Sequence, residues 1–162
     1  CLEGLCYNNV TLVTLENKEM ITWLLLTYKL PAEPSARRVY VWRKLKKLGA
    51  LTIFEAVWVL PDSPRSNEQF QWLAAEIQEM GGEAMFWKAK SELDSQEQDL
   101  TCRFLQQVDT GYQTLLEKLQ QPEPDLVNLA QEYQQVAQRD YFHSKLGQQV
   151  RSRLLAARGD EQ

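Results

Sequence analysis

One histidine, three cysteines and seven glycines are all that the 162 residues hold of three residue types on which metal, redox and phosphate-binding sites depend. Cys1, Cys6 and Cys102 are odd in number and show no C-x-x-C spacing, which fits neither a disulfide framework nor a zinc knuckle and favours a reducing, cytoplasmic compartment. His143, in the run Arg139-Asp-Tyr-Phe-His-Ser-Lys145, has no second histidine and no nearby cysteine, which weighs against a metal site. Gly-rich phosphate loops, HExxH and GxSxG are all missing, so no cofactor and no enzymatic activity are expected. Long apolar runs are missing too. The strongest, over 21–30, is broken by Thr22, Thr27 and Lys29 and is too short to cross a bilayer. Residues 1–19 carry Glu3, Glu16, Lys18 and Glu19 without a long apolar stretch, unlike a signal peptide. They are expected to be an upstream remnant, with Met20 as a natural start.

What is present suits one folding unit. Hydrophobic residues make up 44% and charged residues 25%, ordinary values for a globular chain of this length. The run Ile21-Thr-Trp-Leu-Leu-Leu-Thr-Tyr-Lys-Leu30 is apolar on both faces, which predicts a central strand ended by Pro31. Ser35 then caps a predicted helix in which Val39, Trp42, Leu45 and Leu48 recur at helical spacing until Gly49. The β-rich stretches 50–54 and 57–60 predict a hairpin turning at Glu55-Ala56. Ser66 and Gln69 have capping-box spacing ahead of Phe70, Leu73, Ile77 and Met80, and Gly81-Gly82 leads to a strand over 83–89.

The resulting βαββαβ order predicts an α+β, ferredoxin-like antiparallel sheet over 20–90, with both helices on one face. The remainder, 91–162, is expected to be a helical extension covering the other face. Leu100, Phe104, Val108, Tyr112, Leu115 and Leu119 stripe one helix, and Pro122 and Pro124 break it. Asp125 caps a second helix, antiparallel to the first, with Leu126, Leu129, Tyr133 and Val136 on one side. A short last helix spans 146–157. All five tryptophans lie within 23–87, and Trp23, Trp42 and Trp58 are expected in the core rather than at a stacking site.

The net charge of −4 conceals an asymmetry: positions 29–47 hold seven basic residues against Glu33, whereas 91–138 hold nine acidic against two basic. On a helical wheel Arg37, Arg43, Lys44 and Lys47 fall opposite the apolar stripe of the first helix. Such a face can follow a phosphate backbone, or it can be a solvated face whose last lysines complement the helix dipole. The same wheel sets Arg38 among the apolar positions, as a clamp across a protomer interface or as a bidentate fork for an oxyanion.

Several strings together resemble one family. Trp23-Leu-Leu-Leu-Thr-Tyr-Lys-Leu-Pro31 is followed by Ser35-x-x-Arg38-Val39-x-Val41-Trp42-Arg43-x-Leu45-x-x-Leu48-Gly49-Ala50 and Val57-Trp58-Val59-Leu60-Pro61. Leu73-Ala-Ala-Glu-Ile77, Gly81-Gly82-Glu83-Ala84 and Arg139-Asp140-Tyr141-Phe142 extend the likeness, which covers about residues 22–158. The set resembles the N-terminal region of ChrB-type chromate-resistance regulators. That resemblance implies a cytoplasmic regulator that binds double-stranded promoter DNA and responds to chromate or another oxyanion. A more distant likeness, to ferredoxin-like CRISPR adaptation proteins and to the middle domain of PaaX-type repressors, implies a homodimer. In the CRISPR proteins an aspartate holding a divalent metal follows the first-strand aromatic. Here Lys29 follows Tyr28, which weighs against the alternative of a metal-dependent nuclease. A third alternative is a scaffold module with no affinity for DNA.

Overall fold

The computed structural model describes residues 20–55 and 57–159. It is a mixed α+β structure with a four-stranded antiparallel sheet and five helices: β1 (Thr22–Lys29), α1 (Ser35–Leu48), β2 (Leu51–Ile53), β3 (Val57–Pro61), α2 (Pro64–Glu79), β4 (Glu83–Lys90), α3 (Asp94–Leu119), α4 (Leu126–Ala137) and α5 (Lys145–Gly159). Expectations for residues 1–19 lie outside the described residues.

The strands lie in the order β2-β3-β1-β4. β1 is central for the reason its composition suggests: neighbouring Trp23 and Leu24 are both buried, and neighbours in a strand point to opposite faces, so both faces are covered. Leu24 pairs with Leu60 and Leu26 with Trp58, which puts those four on one face. Trp23 pairs with Pro61 and Ala89 on the other. At the hairpin between β2 and β3, Phe54 and Glu55 both take positive φ, 51° and 60°.

Several predicted helix starts shift by a residue or more. α1 is preceded by Pro34 rather than capped by Ser35. At α2 the cap is Ser63, whose side chain accepts from the Ser66 N–H, with Pro64 in the first turn where a missing N–H costs nothing. α3 begins at Asp94 after Leu93, without a side-chain cap. The Asp125 cap stands, accepting from the Asn128 N–H at 3.0 Å.

The helical half docks on the Trp23 face. The Phe104 ring of α3 stacks on Trp23 with centroids 5.8 Å apart, and Phe142 meets both rings, at 6.0 Å from Trp23 and 5.8 Å from Phe104. Farther along, Val108, Tyr112 and Leu115 of α3 continue the apolar stripe into a second core with Leu129 and Val136 of α4 and Val150 and Leu154 of α5. Gly147 opens α5 to this core. A Cβ there would lie 2.7 Å from the Tyr112 ring, so only glycine permits the approach.

Arg139-Asp140-Tyr141-Phe142 is the staple between the two cores. The Asp140 carboxylate accepts from the Ser144 N–H at 3.0 Å and from the Tyr112 hydroxyl at 3.0 Å. Ser144, buried, donates its hydroxyl to Asp109. Tyr141 Oη donates to the Leu48 carbonyl at 2.6 Å, and Gln107 Nε2 donates to the Gly49 carbonyl at 3.0 Å. Two donors from the helical half thus satisfy carbonyls that the end of α1 leaves open. Gly49 itself sits at φ 75°, the left-handed conformation that closes α1.

Phe104→Ala is expected to destabilise the fold by about 3–5 kcal/mol in urea denaturation, since it empties the stack that joins sheet to helices. Burial, reinforced by the Asp140 charge and hydrogen bond, raises the Tyr112 pKa above its ordinary 10.0. Above that pH an unfolded chain releases this proton while the folded chain keeps it, so stability falls as pH rises. The urea midpoint of the wild type is therefore expected to drop more than that of Tyr112→Phe between about pH 9 and pH 11.

Candidate nucleic-acid interface

α1 carries six basic residues and no acidic one. Its buried arc is Val41 and Leu45, with Leu48 half-buried, and it is turned by roughly 60° from the predicted stripe at 100° per residue. Val39 and Trp42 are accordingly 44% and 50% exposed, correcting their expected burial. Trp23 and Trp58 are buried as expected.

The rotation redistributes the cations. Arg37, Arg43, Lys44 and Lys47 span about 120° of the helix, but Arg37 and Lys44, at the α2 side of that arc, are engaged by α2. Arg37 Nη1 donates to the Met80 carbonyl at 2.8 Å, at the C-terminal end of α2 where the helix dipole favours a cation. Lys44 Nζ contacts both Glu76 oxygens, at 2.6 and 2.7 Å, and Tyr40 Oη donates to the same carboxylate at 3.3 Å. Desolvation pulls the Lys44 pKa down, but the hydrogen bonds and charges of Glu76 and Tyr40 outweigh it, so the net shift is upward.

Arg43 and Lys47 stay on the outer side of α1, exposed. Arg38 joins them. Predicted among apolar positions, it is exposed instead, because the buried arc lies on the Val41 side of the helix. None of the three has a carboxylate partner among the described residues. Lys46 is held differently, its ammonium 5.9 Å from the Trp42 ring centroid and 5.7 Å from that of Trp58. The outer half of α1 therefore alternates free guanidinium and ammonium groups with the part-exposed Val39, Tyr40 and Trp42.

Tyr40, Trp42 and Lys46 were missed as surface groups. A signal was available: the stripe built on Val39 and Trp42 forces a guanidinium inward without a partner, a costly arrangement. Val41, Leu45 and Leu48 form an equally regular stripe that puts Arg38 at its margin, where it can reach solvent. Elsewhere, His143 is exposed at φ 55°, and the described residues contain no cluster of three or more His, Cys, Asp or Glu placed to hold a metal. No helix among them is long and apolar enough to cross a membrane.

Such a surface can bind a polyanion: the cations neutralise phosphates and the ring faces offer stacking area. A double-mutant cycle on Lys44→Ala and Glu76→Ala is expected to give a coupling of only about 0.3–1 kcal/mol, since both side chains remain partly in water. Comparison with known proteins gives the chain a family. A family model described as "Protein ChrB, N-terminal" matches residues 38–136, more than half of the chain. In Cupriavidus metallidurans, a protein named "Protein ChrB" is 30% identical over 82 residues, covering 51% of this chain and 25% of its own length. The matched region thus spans a quarter of that relative. No solved structure matches.

Proposed function

The chain belongs to the ChrB N-terminal family, and on that premise we propose that it is a non-catalytic regulatory module of chromate resistance that binds duplex promoter DNA through the outer face of α1. The observation that carries this reading is the pair Arg43 and Lys47, exposed on one side of α1 and without carboxylate partners among the described residues, on a helix that has no acidic residue, in a protein whose net charge is −4. In an acidic chain, unneutralised cations grouped on one side of a helix attract a polyanion locally whatever the net charge. The sheet order β4-β1-β3-β2, with crossover helices after β1 and β3, supports the ferredoxin-like assignment. Dimeric action and response to chromate or another oxyanion are part of the proposal. The region matched in the curated relative is a quarter of that protein, so sensing is assigned to the regulator as a whole rather than to any residue of α1.

A second reading draws on Val39 and Trp42. Their part-exposed apolar surface also suits a protein partner, which would make the module a scaffold.

Fluorescence anisotropy with duplex promoter DNA separates the two. Two phosphate contacts predict a log–log salt slope of about −2, a loss of affinity of roughly tenfold between 50 and 200 mM salt. Arg43→Glu/Lys47→Glu is expected to weaken binding at least tenfold and to flatten the slope by about 2, whereas Lys44→Ala, already committed to Glu76, leaves the slope unchanged. Salt-insensitive binding, or none at any salt concentration, would leave the scaffold reading in its place.

A further inference from the structure

The sheet has two edges of unequal length. β2 is three residues long, and Arg103 Nη2 from α3 already donates to its Thr52 carbonyl at 2.9 Å. β4 is eight residues long, and no described strand lies beyond it. An edge of that length leaves a row of backbone N–H and C=O groups facing outward, a template for another strand. Its side chains do little to guard it. On the face that carries Trp23, α3 covers the tryptophan but not the far end of β4, where Met85 is 60% and Trp87 46% exposed. Trp87 pairs with Leu25 and Met85 with Thr27, so these apolar groups continue the sheet core outward to the edge.

We propose that this edge receives a second copy of the chain, with β4 pairing antiparallel to β4 about a two-fold axis through Phe86. The occupant follows from self-complementarity. A two-fold axis normal to the sheet maps each face onto itself, so only residues on the same face can oppose one another. Centred on Phe86, the pairing sets Met85 against the second copy's Trp87 and Trp87 against its Met85, each covering the apolar surface the other exposes. Ala84 then meets Lys88, Glu83 meets Ala89 and Gly82 meets Lys90, and no like charges are opposed. Neighbouring centres fit less well. Lys88 as the centre opposes two ammonium groups, Met85 as the centre puts Trp87 against Glu83, and Trp87 as the centre leaves Met85 against Ala89. Lys88 and Lys90 are the kind of residue that blocks edge pairing, but both lie toward one end, and Lys88 is drawn aside by Asp62 at 2.9 Å. They bar the registers centred on themselves and leave the Phe86 register open.

A single strand pair with two apolar contacts is a small interface, so the dimer is expected to be reversible, with a dissociation constant in the micromolar range. Sedimentation equilibrium of the full chain should show a mass rising from 18.9 kDa toward twice that value as concentration increases from about 1 to 500 μM. Met85→Lys/Trp87→Lys should stay monomeric over the same range with an unchanged circular dichroism spectrum. Should that variant fail to fold, Trp87→Thr, which keeps a strand-compatible side chain, should raise the dissociation constant at least tenfold. A wild type monomeric at every concentration, or a folded variant of either kind that dimerises like the wild type, would overturn the proposal.

Discussion

The docking of the helical half onto the end of α1 is the constraint on which the other features rest. Tyr141 and Gln107 bond the carbonyls of Leu48 and Gly49, while Phe104 and Phe142 close over Trp23. Each set needs the other. The aromatic contacts are non-directional and would tolerate a sliding helix, whereas the two hydrogen bonds are directional and fix where α3 and the 139–142 segment meet the sheet. Because they land on the last residues of α1, they also hold the C-terminal end of the one helix that carries the cationic face. The ChrB-like string Arg139-Asp140-Tyr141-Phe142 is therefore a joint between two cores: Asp140 holds Tyr112 and Ser144, Tyr141 holds α1, and Phe142 holds Trp23.

Much of this architecture was legible because it rests on periodicity. β1 could be read as central from apolar residues on both faces. The α3 stripe from Leu100 to Leu115 is the stripe that packs, and Asp125 caps the helix it was expected to cap. What failed to appear was phase and partnership. Within α1 the apolar residues Val39, Val41, Trp42, Leu45 and Leu48 span so much of the wheel that two stripes about 60° apart explain them equally well, and only the position of α2 decides between them. That choice moved Arg38 and Trp42 to the surface and brought Lys44 against Glu76, 32 residues away. Ion pairs of this kind join residues by spatial approach, and the Lys44–Glu76 pair has no spacing that marks it.

The loss of Arg37 and Lys44 from the cationic face is a loss of reach rather than of charge. Lys44 faces a carboxylate, and its field beyond a few ångströms is largely cancelled. Arg37 faces a carbonyl and keeps its full charge, but its guanidinium is directed toward the end of α2. Arg43 and Lys47, exposed on the outer side of α1, have no carboxylate partner among the described residues to cancel their charge. Acidic residues gather on α3 and α4, whereas α5 carries Lys145, Arg151, Arg153 and Arg158 and no acidic residue, so the charge asymmetry sets both α1 and α5 apart from the middle helices.

Pairing along β4 would give that side a geometry. α2 packs over β4 and β1, and α1 lies beyond it toward β3, where Lys46 meets Trp58. A two-fold axis normal to the sheet keeps both helical layers on the same side, so the order across the dimer is α1, α2, then α2 and α1 of the second copy. With neighbouring helices about 8–10 Å apart, the two α1 helices lie roughly 24–30 Å from each other. That is somewhat less than the ~34 Å of one turn of duplex DNA, and long side chains such as Arg43 and Lys47 add several ångströms of reach on each side. One pair of cations would hold too few phosphates to bind tightly at physiological salt. Two such pairs on one surface, joined by a weak strand pair, would double the number of contacts and make DNA binding and dimerisation stabilise each other through linkage.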